Sequence, residues 1–233
     1  HHNKEIIERE KIYKLKKKNI INYGYGKLDY ILNNKSIYKT NFFQACIAPS
    51  WNKSDQYLNL IDVLIEKLLP FIQVRFRPHK NSYKYHTKRI VKIVEKYSPN
   101  RNFILDLDDN SFNYLLHSKF FFTDWSGTAF EYAFLNLRKV IFLDTPMKIN
   151  NKNYQEFENK PIELNIRDQI GLILKKEEIE NVVEKINTVD FNDKETIKRI
   201  LKLREKYIFN IKQSSESGIK IINGIINEKK NIY

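Results

Sequence analysis

The stretch TDWSGTAFEYAF, Thr123 to Phe134, gathers Asp124, Ser126, Gly127 and Thr128 just ahead of an apolar helical pattern. Residues of these types at a helix start are suited to holding an anion. The first turn of a helix has unpaired N–H groups and a partial positive charge. A phosphate can bind there without any cationic side chain. Gly127 lets a ligand approach the backbone closely, and Ser126 and Thr128 add hydroxyl donors. The same residues also fit an ordinary helix cap. Thr128-x-x-Glu131 has capping-box spacing, and Asp124 or Ser126 could cap alone. Glu131 is thus either a cap partner or a carboxylate facing ribose hydroxyls.

Three further stretches carry compatible groups. Arg77-Pro78-His79 follows the apolar run FIQVRF. Arg77 offers a planar fork for phosphate oxygens, and His79 can donate to a phosphate or supply a proton. Pro78 stiffens the turn between them. A solvated basic loop is the plainer alternative. IAPSW ends another apolar run and brings Ser50, while GYGK precedes a helix and brings Lys27. Asp106, Asp108 and Asp109 form an acidic loop, but nothing in their spacing demands a metal, and none is expected. Asp144 is a ligand contact or a loop cap. His86 and His117 read as helix-surface or packing residues.

These groups need a scaffold that brings them to one edge. Apolar runs at NFFQACIA, FIQVRF, NFILDL, FFFTDW and KVIFLD, with a last short one at 172–174, alternate with helical patterns. One such pattern sets Leu58, Ile61, Leu64, Ile65 and Leu68 on one face, and another sets Ile90, Ile93, Val94 and Tyr97. Short, continuously apolar strands between helices describe a parallel sheet covered on both sides. The expected fold is α/β, a Rossmann-like doubly wound parallel sheet followed by C-terminal helices near 177–186, 193–209 and 216–227. In such sheets ligands bind beyond the carboxyl ends of the strands, where all four stretches fall. Residues 20–233 read as one domain. Residues 1–19 read as a charged helical lead-in or linker cut from something longer, with His1 and His2 as the remnant of a tag.

The chain has 233 residues, of which 42% are hydrophobic, so it can build a sizeable core. Lys and Arg outnumber Asp and Glu by 41 − 28 = 13. That balance points to an anionic partner, although a chain this rich in Lys, Asn, Ile and Tyr also reflects AT-rich coding. The basic residues are scattered rather than interleaved with aromatics along one element, which argues against nucleic acid. Cys46 is the single cysteine, so no intrachain disulfide forms, and it reads as a small core residue in a reducing compartment. No apolar run is long enough to span a bilayer, and no signal-peptide pattern is present.

In order, YGYGKLD, IAPSW, RPH, TDWSGTAFEYAF and KVIFLDTP resemble the CDP-glycerol glycerophosphotransferase family, the teichoic-acid and capsule polymerases and primases of bacteria. The resemblance covers roughly 23–146 and extends to 171 through PIELNIRDQIG. Two positions depart from it: Lys80 stands where the family usually has proline, and GYGK replaces a commoner glycine-x-proline form. The resemblance implies a glycosyltransferase-B architecture of two Rossmann-like domains, with this chain as the C-terminal, nucleotide-binding one and the N-terminal domain absent. It implies pyrophosphate contacts from Asp124, Ser126, Gly127, Thr128, Arg77 and His79, with Glu131 at the ribose and residues 103–106 near the base. It also implies no cofactor beyond a CDP-linked donor such as CDP-glycerol. Glycerol phosphate would pass to an anionic polymer at the inner face of the cell membrane, where Lys and Arg of the terminal helices meet anionic lipid. His79 would stabilise or protonate the leaving phosphate, and the general base would lie on the absent domain. Two other readings stand beside this one: a glycosyltransferase-B enzyme using another nucleotide-sugar, and a non-catalytic polyanion-binding module.

Overall fold

The computed structural model describes residues 2–34, 42–108, 112–149 and 151–230. Asp109 and Ser111, which opens the predicted helix near 112, lie outside the described residues.

Six parallel strands form one sheet: β1 Gln44–Ile47, β2 Gln73–Phe76, β3 Phe103–Leu105, β4 Ser118–Thr123, β5 Val140–Leu143 and β6 Gly171–Leu174. Their order is β3-β2-β1-β4-β5-β6. Eleven α-helices accompany them among the described residues: α1 His2–Ile12, α2 Gly26–Asn33, α3 Tyr57–Leu68, α4 Lys80–Tyr85, α5 Thr87–Tyr97, α6 Asn113–Leu116, α7 Thr128–Asn136, α8 Ile162–Ile170, α9 Val182–Asn187, α10 Lys194–Tyr207 and α11 Ser214–Lys230. The arrangement is a Rossmann-like doubly wound α/β fold.

Helices cover both sides of the sheet, so β1 and β5 are buried on both faces, while β2 alternates buried Val74 and Phe76 with half-buried Gln73 and Arg75. Side chains alternate across a strand. Ala45, Ile47, Val74, Phe76, Phe120, Phe122, Ile141 and Leu143 therefore point into one core layer, with α3, α5 and α9. Cys46, Phe121, Val140 and Phe142 point into the other, with α2, α7, α8 and α10. The predicted stripe Leu58, Ile61, Leu64, Ile65 and Leu68 is fully buried. Each such side chain contributes roughly 1.5–3 kcal/mol. Cys46 is wholly enclosed, and burial pushes its thiol up to about 12.

Four local features differ from the sequence reading. The loop Arg77-Pro78-His79 is itself all that separates β2 from a helix, because α4 starts at Lys80 with His79 as its cap. Helix α8 fills a stretch that has weak apolar spacing. The first terminal helix divides into a 3-10 turn over Lys176–Asn181 and then α9. The lead-in helix α1 folds back, with Glu8 accepting from the Asn159 backbone N–H at 3.0 Å and its side-chain amide at 2.8 Å.

The strand order turns around between β1 and β4, with β2 and β3 on one side and β5 and β6 on the other. In register, Ile47 pairs with both Phe76 and Phe122. The segments that follow β1, β2 and β4 consequently leave the sheet at one level. A crevice opens there, beyond the carboxyl ends, where such folds bind ligands.

Candidate functional site

The turn after β4 is held from three sides. Asp124 is buried, and its carboxylate accepts the Ser50 backbone N–H at 2.7 Å and the Ser50 hydroxyl at 3.0 Å. This joins the ends of β4 and β1 across the crevice. Thr123 donates its hydroxyl to the Ala48 carbonyl at 2.7 Å. The Trp125 indole N–H donates to the Thr145 carbonyl at 3.0 Å, and the Arg167 guanidinium lies 4.1 Å from the centre of the Trp125 ring.

The helix start itself is left open. Gly127 is the N-cap of α7, so no side-chain cap exists. The expected capping box does not form, because Thr128 is already the first helical residue and Glu131 lies one position too far along. The Ser126 and Thr128 hydroxyls sit 2.9 Å apart, and the Thr128 N–H makes a long 3.4 Å contact to Ser126 Oγ. The N–H groups of Ser126 and Gly127 make no hydrogen bond to any described residue. A methyl group placed on Gly127 would meet nothing within 4 Å. The start of α7 thus presents unpartnered N–H groups with a clear approach, an arrangement suited to an anion.

Thr128 shares a cavity of about 480 Å³ with Lys27, Arg77, His79, Lys80 and Tyr114. Arg77 is held in place there. It donates to Asp106 Oδ1 at 2.8 Å and to the Asp108 carbonyl at 2.7 Å, and it lies 4.2 Å from the centre of the Tyr114 ring. Asp106 is a buried hub that also accepts from Arg75 at 3.1 Å and from the Asp108 N–H at 3.0 Å. Two arginines share one carboxylate, and the Arg77 bonds to Asp106 and Asp108 both use Nη1, which leaves its other guanidinium donors unused among the described residues.

His79 stands at the rim. Its Nδ1 accepts the Asn81 N–H at 3.1 Å, so the neutral ring carries its proton on Nε2. Partial desolvation, reinforced by the nearby charges of Lys148 and Lys80 and opposed by Asp124, lowers its pKa. Glu131 is buried and receives the Tyr25 hydroxyl on one oxygen and Lys27 Nζ on the other, the latter at 2.7 Å. Burial and that bond to Glu131 raise the Tyr25 phenol well above its usual value.

The structure therefore brings Lys27, Arg77, His79 and Thr128 to one cavity, with Ser126 and Gly127 on the adjoining turn. Glu131 touches it through Lys27. Asp124 and Ser50 lie beneath the turn and satisfy each other. Three residues not singled out from the sequence join the site: Tyr25, Tyr114 and Lys148. Tyr25 sits inside the GYGK stretch, so its neighbours signalled it. Tyr114 and Lys148 carry no local signal, since only the fold brings them near Arg77 and His79.

No protein-family model matches this chain, and no curated protein sequence matches it. Solved structures do match. A histidine-to-asparagine variant of the wall teichoic acid polymerase TagF, soaked with CDPG, superposes with a TM-score of 0.58 at 19% identity, over 90% of this chain and 52% of that one. A shorter soak of the same variant gives 0.54 at 17% identity, over 90% and 51%. Methanocaldococcus jannaschii UDP-GlcNAc 2-epimerase, in complex with UDP-GlcNAc and UDP, gives 0.50 at 15% identity, over 86% and 59%. The shared feature is the fold, a Rossmann-like unit of the glycosyltransferase-B kind. The chain spans about half the length of the TagF structure.

Proposed function

We propose that this chain is the donor-binding half of a transferase that uses a CDP-linked alcohol, such as CDP-glycerol, and passes its polyol phosphate to a growing teichoic-acid or capsule-like polymer. One observation carries the reading: the uncapped amides of Ser126 and Gly127 adjoin the cavity that holds Arg77, His79, Lys27 and Thr128. That combination fits a diphosphate. The likeness to a TagF structure soaked with CDPG supports a cytidine donor. The resemblance in sequence supports the same choice.

In this reading the donor's diphosphate lies on the turn, with Arg77 clasping it from the neighbouring loop. Asp124 and Ser50 fix the turn's position, and Asp106 presents Arg77. Glu131 meets the ribose once the Tyr25 hydroxyl yields one of its oxygens. An acceptor hydroxyl attacks the phosphorus that bears the glycerol. The bond from that phosphorus to the bridging oxygen breaks, and CMP leaves. The acceptor's proton goes to a base outside this chain, on the preceding domain. Negative charge that develops on the CMP phosphate is met by the α7 amides, by Arg77 and by the Nε2 proton of His79. The reaction belongs at the inner face of a membrane, with the protein held peripherally by its basic surface. Among the described residues, no helix is long and apolar enough to cross a bilayer.

Calorimetry with CDP tests the site. The wild type binds. Arg77→Ala weakens binding by about tenfold or more, as expected for a charge-assisted contact, and Ser126→Ala by only a few fold. Equal affinity of wild type and Arg77→Ala refutes the phosphate role of that loop. The likeness to an epimerase structure holding UDP-GlcNAc and UDP supports a second reading, in which the donor is a nucleotide-sugar. Thermal shifts with CDP-glycerol, CDP-ribitol, CMP-sialic acid and UDP-sugars separate the two. A shift with UDP-sugars alone removes the cytidine donor.

A further inference from the structure

A second and larger cavity, of about 670 Å³, lies on the other side of the turn. Trp125, the residue between Asp124 and Ser126, forms part of its wall. Tyr13, Tyr154 and Phe157 supply more aromatic surface, and Arg9 and Lys148 supply cations. One side of this wall, Glu5, Arg9 and Tyr13, comes from helix α1 and the turn just after it. They are seated on the loop before α8 by the Glu8 contacts to Asn159 and by the Tyr13 and Phe157 rings, whose centres are 6.0 Å apart. The volume suits a small ligand.

Lys148 connects the two cavities. Its ammonium lies 5.5 Å from the centre of the Trp51 ring, next to the Ser50 loop. Among the described residues no carboxylate pairs with it. Its charge also reaches His79, where it helps to lower the imidazole pKa. A ligand on Trp125 and Lys148 would therefore stand beside the diphosphate mouth, on the side away from Arg77.

The wall chemistry narrows the occupant. Aromatic surfaces pack against the C–H edges of a sugar or polyol. Side chains of Asn151 and Glu163 at the same cavity can pair with hydroxyls. Arg9 and Lys148 match a phosphate. A bare hydrocarbon would leave those polar groups unmet.

We propose that this cavity is the acceptor-side subsite and that it takes a polyol phosphate unit, with Arg9 and Lys148 on the phosphate and Trp125 against the carbon chain. The assignment of the cavity to the acceptor rests on the transferase reading above. It gives α1 a role in recognition, because α1 contributes Arg9.

The chain has two tryptophans, Trp51 and Trp125, so Trp51→Phe leaves Trp125 as the only indole. That variant is titrated with sn-glycerol 3-phosphate while saturating CDP is present. The expected result is a saturable change in Trp125 emission that glycerol alone does not produce. Arg9→Ala and Lys148→Ala, each added to that variant, should weaken it by about tenfold. If Trp51→Phe misfolds, saturation-transfer NMR on glycerol 3-phosphate with the unaltered chain reads the same binding. Three results overturn the inference: no saturable response, an equal response to inorganic phosphate, or displacement of glycerol 3-phosphate by CDP. Calorimetry with CDP, run alongside, keeps the two proposals apart. CDP binding without a glycerol 3-phosphate response sinks this subsite alone. A glycerol 3-phosphate response without CDP binding upholds a polyol phosphate site and sinks the donor reading.

Discussion

Helices α7 and α11 both begin beside a glycine, and their free amides end in opposite ways. At α11 the buried carboxylate of Asp29 accepts the N–H groups of Lys212 at 2.6 Å and Ser214 at 2.9 Å. Gly24 packs its backbone against the same helix start, so closely that an added methyl would fall 2.6 Å from Ser214 Cβ. At α7 no side chain caps the helix, the amides of Ser126 and Gly127 have no partner among the described residues, and the space over Gly127 is clear. Both helix starts attract an anion. One receives it from within the protein and is sealed. The other leaves its amides open, as the proposed donor site requires. If the α7 start holds the proposed diphosphate, an uncapped helix start with cations gathered around it is what sets it apart from the sealed start of α11.

The same substitution at each glycine should break this contrast if it is wrong. Gly24 has a φ of +135°, a region that disfavours any residue with a Cβ, and it has no room for one. Gly24→Ala should lower stability by about 3 kcal/mol in urea denaturation, while the remaining folded protein binds CDP as before. A loss well under 1 kcal/mol would mean that the seam with α11 is loose. Gly127 is at φ −59°, which alanine adopts readily. Gly127→Ala should leave stability within about 0.5 kcal/mol of wild type, yet reduce CDP affinity by about tenfold, because the new methyl enters the ligand's space. Undiminished affinity would remove the ligand from this turn.

The contrast also shows what could be read in advance. The sheet was legible because strands covered on both faces are short apolar runs, and because α3 and α5 carry clean stripes. The open mouth was legible because Ser126, Gly127 and Thr128 are adjacent in the chain. Asp29 was not, since its partners Lys212 and Ser214 lie about 185 residues away and nothing local marks them. Glu131 was open to two readings for the opposite reason. Its spacing from Thr128 suggested a local cap, but with Gly127 as N-cap there was no side chain to complete the box, and the carboxylate turned to Lys27 and Tyr25. Asp106 read as part of an acidic loop with no assigned partner, and it is the carboxylate that holds Arg77. Lys148 acts on His79 through space, across the crevice, and only the fold can show that.

His79 gives the smallest effect and the finest test of the open mouth. Its pKa is lowered in the free protein, first by desolvation and then by Lys148 and Lys80. The unfolded chain therefore binds more protons than the native one just below the usual histidine value. Through that window, His79 makes native stability fall as pH falls, and its contribution is fully present at higher pH. A bound diphosphate reverses the local charge and raises the same pKa. Affinity for CDP-glycerol should then rise by about threefold between pH 7.5 and 5.5. CDP-glycerol is the right probe because its phosphate diesters do not titrate in this range, whereas the terminal phosphate of CDP does. His79→Gln should flatten the binding profile and also remove part of the acid loss of stability in the free protein. Opposite signs for stability and binding, both abolished by one substitution, are what an uncapped anion site predicts for a histidine at its rim. A binding profile that stays flat in the wild type, or that keeps its slope in His79→Gln, would place the imidazole outside the diphosphate's reach.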